Sequence, residues 1–357
     1  MSATTSIEWT EATWNPVTGC TEVSPGCDHC YAKVIAERFR GGPAFPNGFD
    51  VQLRPDKLDL PLRWRRPRRI FVNSMSDLFH DDVPDEYIAQ VWAVMALAPR
   101  HTFQVLTKRH GRMRSLVGSG HFAGLVYKAV NAILAQGNPP RLGDDTIVAA
   151  LDGFARGQFT VLPNVWGMVT AENQQWADIR IPALLDAPFA VRGVSLEPLL
   201  GPITLSQNWL VAEERGAVFP ADVRVLLKHH GVPMLDWVVV GGESGHGARP
   251  MHPDWARSLR DQCTAAGVPF LFKQWGEWAP APWYGPDGAT HAFTGGLYQD
   301  DAGRWVENFM AIGHNPMSGE RDRETPPGAQ GMRRVGKKAA GRQLDGQTWD
   351  QYPEAVS

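Results

Sequence analysis

From about residue 70 the chain alternates short apolar runs with longer stretches whose apolar residues recur at helical spacing. Ile70-Phe71-Val72-Asn73 predicts a buried strand that ends in the polar stretch SMSDLFHDD. Asp82 is placed to cap the next helix, with Pro84 in its first turn and Asp85 and Glu86 at its positive end. Ile88, Val91, Trp92 and Met95 then share one face, so that face is buried. Further strands are predicted at Phe103–Leu106, Val165–Val169, Ala190–Val194, Trp237–Val240 and Pro269–Phe272. Each ends in polar residues: Thr107-Lys108-Arg109, then Thr170 with Glu172 and Asn173, Ser195 with Glu197, GGESGHGARP, and Lys273-Gln274-Trp275.

Strands buried on both faces and joined by long crossovers belong to parallel α/β folds. Polar groups gathered at strand C-termini mark the active face of a barrel enzyme. The expected architecture is therefore a full or partial (β/α) TIM-type barrel of roughly six to eight strands, over residues 1–279. Residues 111–163 are too long for one crossover and are expected to hold a helical insertion. Residues 280–357, rich in Gly, Pro and polar side chains, are expected to form an irregular extension over the barrel mouth, with hairpin pieces such as AFTGGLYQDDAGRW.

The 357 residues suffice for a large core, and 43% hydrophobic with 20% charged residues is ordinary for a globular protein. A formal charge of -3 argues against wholesale electrostatic attachment to nucleic acid but leaves a local basic patch open. No N-terminal segment has the charged-then-apolar pattern of a signal peptide, and the longest apolar stretch, about 88–98, is too short to span a bilayer. A cytoplasmic, reducing location is the expectation, and there clustered cysteines serve as ligands or catalysts.

Three of the four cysteines, Cys20, Cys27 and Cys30, stand in WNPVTGCTEVSPGCDHCYAK. Thiolates in this C-x6-C-x2-C spacing can hold three corners of an iron–sulfur cluster and leave one metal open. Zinc is the rival, with His29 or Cys263 as a fourth ligand, and three unconnected thiols remain a further reading. Cys263 shares a helical face with Trp255 and Leu259, which favours a packed core cysteine. Arg63-Trp64-Arg65-Arg66-Pro67-Arg68-Arg69 interleaves arginine with tryptophan, a composition suited to phosphate contact and base stacking in DNA or RNA.

Asn15-Pro16, Gly19-Cys20 and Cys27-Asp28-His29-Cys30-Tyr31-Ala32-Lys33 resemble the cluster loop of radical S-adenosylmethionine (SAM) enzymes, in the spore photoproduct lyase branch. The chain is also similar, through NSMSDLFH, LTKR, GVSLEPLLGP, GGESG, FKQWG and LDGQTWDQYP, to a phage-associated three-Cys-motif family. It departs from the radical-SAM pattern in the three extra residues between Cys20 and Cys27, and in His29 where an aromatic residue is common.

The resemblance implies a 4Fe–4S cluster on Cys20, Cys27 and Cys30, SAM on the fourth iron, and a 5′-deoxyadenosyl radical acting on nucleic acid in repair or base modification. It implies cofactor contacts at Tyr31, Ser74, Asp77, Lys108 and Glu172, with Arg109 and His80 near them. Their places at strand ends make Asp77, Glu197, Glu243 and Lys273 the candidate catalytic groups, and the expected partners are DNA or RNA, through the Arg63–Arg69 run, and a reductant such as flavodoxin or ferredoxin. Asp77 can instead cap a helix, and Glu197 or Glu243 can instead pair with Lys273 or Arg249. The alternative class is a metal-stabilised module, with zinc or a cluster without SAM, that binds nucleic acid or protein without catalysis.

Overall fold

The computed structural model describes residues 5–136, 145–210, 232–280, 297–299, 305–307 and 332–354. Its centre is a curled seven-stranded sheet, a half-barrel of the partial TIM type. The strands are β1 (Ala12–Trp14), β2 (Arg69–Val72), β3 (Thr102–Thr107), β4 (Val165–Thr170), β5 (Val191–Leu196), β6 (Trp237–Gly241) and β7 (Phe270–Gln274). Every neighbouring pair is parallel and consecutive in this series, so the sheet winds in one direction and all strand C-termini open on one side. The six predicted strands are all present within two residues of their expected ends. β1 was not anticipated, because three residues flanked by Glu11 and Asn15 leave almost no periodic signal.

The helices are α1 (Tyr31–Arg38), α2 (Asp85–Ala96), α3 (His110–Leu116), α4 (Gly120–Leu134), α5 (Asp145–Ala155), α6 (Gln174–Leu185) and α7 (Pro253–Ala266), and all but α1 send buried residues into the main core. The insertion expected at 111–163 supplies α4 and α5, with α4 packed on α2. Asp82 does not cap α2. Pro84 occupies that position with extended dihedrals (φ −59°, ψ 145°), so helical geometry starts at Asp85, after a turn in which the Asp82 N–H donates to His80 Nδ1. In α7, the His252 ring accepts from the Asp254 N–H at one end and Gly267 adopts φ +64° at the other, a left-handed stop that glycine takes without strain.

The sheet has two apolar faces. The outer one merges with the helices into the main core. The inner one holds a separate cluster of Trp9, Phe71, Trp166, Met168, Val191, Trp237, Val239 and Leu271, none of them helical. Because strand side chains alternate with period two, this cluster fixes what lies above it on the same face. Asn73, Lys108, Thr170, Ser195, Gly241 and Lys273 follow it at even spacing, and Glu172, Glu197 and Glu243 stand at the rim. The concavity is apolar and tryptophan-filled below, polar above.

The described tail takes two paths. Trp278–Pro280 and Met332–Arg334 pair beside the mouth, where Trp278 Nε1 donates to the Ala248 carbonyl at 2.7 Å. Leu297–Gln299 and Trp305–Glu307 form the expected hairpin, and the rest of AFTGGLYQDDAGRW lies outside the described residues. Residues 343–352, however, leave the mouth. Trp349 and Gln351 hydrogen-bond along β7, and Tyr352 lies against Trp237, with ring centroids 5.4 Å apart, at the sheet's N-terminal end. This segment covers the free edge and the floor, because an unpaired β7 edge would otherwise expose backbone donors and acceptors.

Candidate metal centre

The cysteine loop begins at a backbone crossing. Gly19 has φ +85°, its N–H donates to the Met75 carbonyl, and a Cβ there would stand 2.1 Å from the Asp50 oxygen. Only glycine fits. A single turn at Pro25–Cys27 follows, and Cys30 occupies the N-terminal cap position of α1. Cys20, Cys27 and Cys30 are half-buried free thiols.

Four strand ends fasten this loop across the mouth. After β2, the Ser74 carbonyl accepts from the Tyr31 hydroxyl at 2.6 Å. After β3, Arg109 Nη2 donates to Thr21 Oγ1 at 2.6 Å, and His80, which follows β2, brings Nε2 to 2.9 Å from the same hydroxyl. After β4, Glu172 Oε1 accepts from the Gly26 N–H at 3.2 Å. After β6, Arg249 donates to the Pro25 carbonyl at 2.8 Å and to Asp28 Oδ2 at 2.9 Å. His29 lies against Gly247, where an added Cβ would come within 2.8 Å of its ring.

The site residues expected from sequence converge on this mouth, but most carboxylates there are already engaged. Asp77 is buried and accepts from Thr107 Oγ1 at 2.7 Å, the Lys108 N–H at 2.9 Å and the Phe79 N–H at 3.0 Å, bracketing the ends of β2 and β3. Glu172 is fully buried and accepts from Arg180 Nη1 at 3.0 Å. Glu243 takes Arg249 bidentately, with Nε and Nη2 at 2.8 and 2.7 Å. Glu197 accepts from Ser195 Oγ at 3.0 Å and stands 3.1 Å from Lys273 Nζ, an ion-pair distance outside hydrogen-bond geometry. Gly241 makes room for this pair, since a Cβ there would lie 2.4 Å from Glu197 Oε1. The pairings with Arg249 and Lys273 weighed from sequence are the ones present. Lys108 brings its Cε to 3.4 Å from where a Gly26 Cβ would sit.

Burial and the nearby Asp77 push the Cys20 thiol up to about 11, against the pull of Arg109. A metal bound by Cys20 would have to displace that proton. The Tyr31 flank is exposed but its hydroxyl end is sunk, and burial, with Cys30 and Glu197, pushes the phenol above its usual range. Among the described residues no three His, Cys, Asp or Glu side chains gather round one ion. Cys263 is buried on α7 in the main core and cannot serve the loop. A cluster asks for one thiolate per iron, and Cys20, Cys27 and Cys30 put three free thiols on one loop. The surrounding cations Lys108, Arg109, Arg180 and Arg249 suit the negative charge of such a group, and the donor set fits it.

Two features depart from the expectation. The Arg63–Arg69 run leads into the N-terminal end of β2, so it lies at the opposite end of the half-barrel from the cysteine loop. Within it Arg63 pairs with Asp59 and Arg68 lies 5.2 Å over the Trp64 ring, leaving Arg65 and Arg66 exposed. Arg180 was missed. Its signal was an arginine among Ala177, Ile181 and Leu184 on the buried face of α6, where a charge needs a partner.

The fold and this mouth define a curled parallel half-barrel whose strand ends hold a three-cysteine loop. Residues 4–353 match the family described as Protein of unknown function (DUF5131), and the chain belongs to that family. No curated protein matches it. Two solved structures are similar at 12% identity and a TM-score of 0.35. One is a mutant of spore photoproduct lyase, covering 87% of this chain and 72% of that one. The other is spore photoproduct lyase complexed with dinucleoside spore photoproduct, covering 85% and 70%. Among the described residues no helix is long and apolar enough to cross a membrane.

Proposed function

We propose that this chain is an iron–sulfur enzyme of the radical-SAM type that acts on nucleic acid. One observation carries the reading: three free cysteines sit on a loop pinned over the mouth by four separate strand ends. Cys20, Cys27 and Cys30 would hold a 4Fe–4S cluster, and SAM would complete it. When bound, the pair supplies an electron and a carbon radical for hydrogen abstraction.

The chain's own residues position and shield. Asp77, Glu172 and Glu243 are committed to internal hydrogen bonds, so they hold the loop and its neighbours instead of exchanging protons with a substrate. Lys108 offers a cation beside the Gly26–Cys27 turn for an anionic group of the cofactor. Glu197 and Lys273 place a polar pair on the concave wall, facing the space where a substrate would enter. The tryptophans below close the floor and exclude water. Nucleic acid contacts at Arg65 and Arg66 would anchor from the far end, and a one-electron donor such as flavodoxin or ferredoxin would supply the reducing equivalent.

Anaerobic reconstitution followed by iron and sulfide assay, and electron paramagnetic resonance with and without SAM, tests the proposal. About four irons per chain, a signal altered by SAM, and 5′-deoxyadenosine formed under reductant are expected. The second reading, a metal-stabilised module without catalysis, is favoured by the commitment of the rim carboxylates. One zinc per chain, or a cluster signal blind to SAM, would select it.

A further inference from the structure

Glu172 and Arg180 form an ion pair with both side chains at 0% exposure, and it is tied directly to the cysteine loop. Glu172 Oε2 receives Arg180 Nη1 at 3.0 Å while Oε1 receives the Gly26 N–H at 3.2 Å, one residue from Cys27. Arg180 Nη1 also donates to the Thr170 carbonyl at 2.8 Å, which locks the guanidinium to the end of β4. The guanidinium carbon lies 4.0 Å from the Trp176 ring centroid, and its Nε and Nη2 have no hydrogen-bond partner. Burial pulls the guanidinium below its ordinary value, while Glu172, Cys27 and Asp77 pull it back. An ion pair this deep costs desolvation that a pair of apolar residues would avoid, so its place beside the loop calls for a role other than stability.

We propose that Glu172 and Arg180 are positioning residues: together they fix the Gly26–Cys27 turn, and their opposite charges set how readily a cluster on that turn accepts an electron. The proposal rests on the cluster reading above. Glu172 and Arg180 lie close to Cys27 in a site where little water screens them, so each acts on the cluster with its own sign. A negative charge there opposes reduction, and a positive charge favours it. As a pair they nearly cancel, which leaves the hydrogen bond to Gly26 as their net effect on the loop.

The experiment compares E172Q, R180M and the double variant E172Q/R180M after anaerobic reconstitution, with iron content and midpoint potential measured by redox titration. E172Q leaves the cation alone and is expected to raise the potential. R180M leaves the anion alone and is expected to lower it, each by at least a tenfold change in the reduction equilibrium, about 59 mV for one electron. The double variant is expected within that distance of the native chain. A purely structural role would move both single variants the same way or neither, and that result overturns the proposal.

The metal-free chain gives a second readout that also covers single variants that do not fold. Alkylation of Cys27 by iodoacetamide, read by peptide mass, is expected to run several-fold faster in E172D, whose shorter side chain withdraws from Gly26, and near the native rate in E172Q, whose amide oxygen still accepts from the Gly26 N–H. An unchanged rate in E172D overturns the positioning claim. If the native chain itself takes up no iron, the cluster reading has failed and this inference falls with it. Normal loading with same-sign or absent potential shifts sinks the inference alone.

Discussion

At the scale of single residues, the mouth is governed by groups whose geometry admits no substitute. Gly19 combines a left-handed backbone with the 2.1 Å approach to the Asp50 oxygen. G19A is therefore expected to cost about 2 kcal/mol or more in strain and to part the Val17–Thr18 and Gln52–Leu53 strands, measurable by urea unfolding. Asp77 serves three donors from a buried position. In D77N the amide presents N–H groups where acceptors are required, so roughly 1–3 kcal/mol is lost for each buried donor left unpaired. The same unfolding measurement checks it, and an unchanged midpoint would show that the bracket between β2 and β3 is dispensable.

At the scale of elements, the sheet was legible because strands buried on both faces read as uninterrupted apolar runs. Val238-Val239-Val240 and Phe270-Leu271-Phe272 permit no other reading once Gly or Pro punctuates their ends. The clustering of Ser74, Lys108, Glu197 and Lys273 at one mouth followed from that alternation. The contacts back to the cysteine loop did not, because they join residues far apart in the chain, as Glu172 with Gly26 and Arg249 with Asp28 show. Nor did the path of 343–352: Gln343–Leu344 and Gln347–Thr348 pair with each other around Asp345-Gly346, and only the residues after them run along the free edge of β7. That edge yields a prediction. W349A removes a ring packed edge-on against Phe270 at 5.9 Å and within cation–π reach of Arg260 at 5.7 Å. It is expected to loosen the covering segment, and faster amide hydrogen exchange in β7 than in β4 would record it.

At the scale of the whole molecule, acid stability is set by histidines that the fold keeps uncharged. His80, His101 and His110 lie at separate points around β2 and β3, and burial lowers all three below their ordinary value. An arginine adds to the effect in each case: Arg109 beside His80, Arg100 and Arg68 beside His101, Arg180 beside His110. Their rings are built into the structure as neutral groups. His101 Nε2 faces the Pro61 carbonyl while its Nδ1 is buried without a partner, and His80 Nδ1 accepts a backbone N–H that a protonated ring would repel. Because the folded values lie below the unfolded one of 6.5, the unfolded chain takes up more protons as the medium turns acid. The stabilisation is thus complete above about pH 7, falls as pH drops through 6.5, and levels off once the folded rings are protonated as well. Asp56 and Asp345, whose carboxyls are held low by arginines, act only below the ordinary carboxylate range, so the two regimes separate. Urea midpoints measured between pH 7.5 and 5.0 are expected to decline steadily. H101Q, whose amide nitrogen reaches the Nε2 position facing Pro61 and cannot be protonated, is expected to flatten part of that decline. A native profile level across the interval, or an H101Q profile as steep as the native one, would mean that the fold tolerates charged rings at these positions.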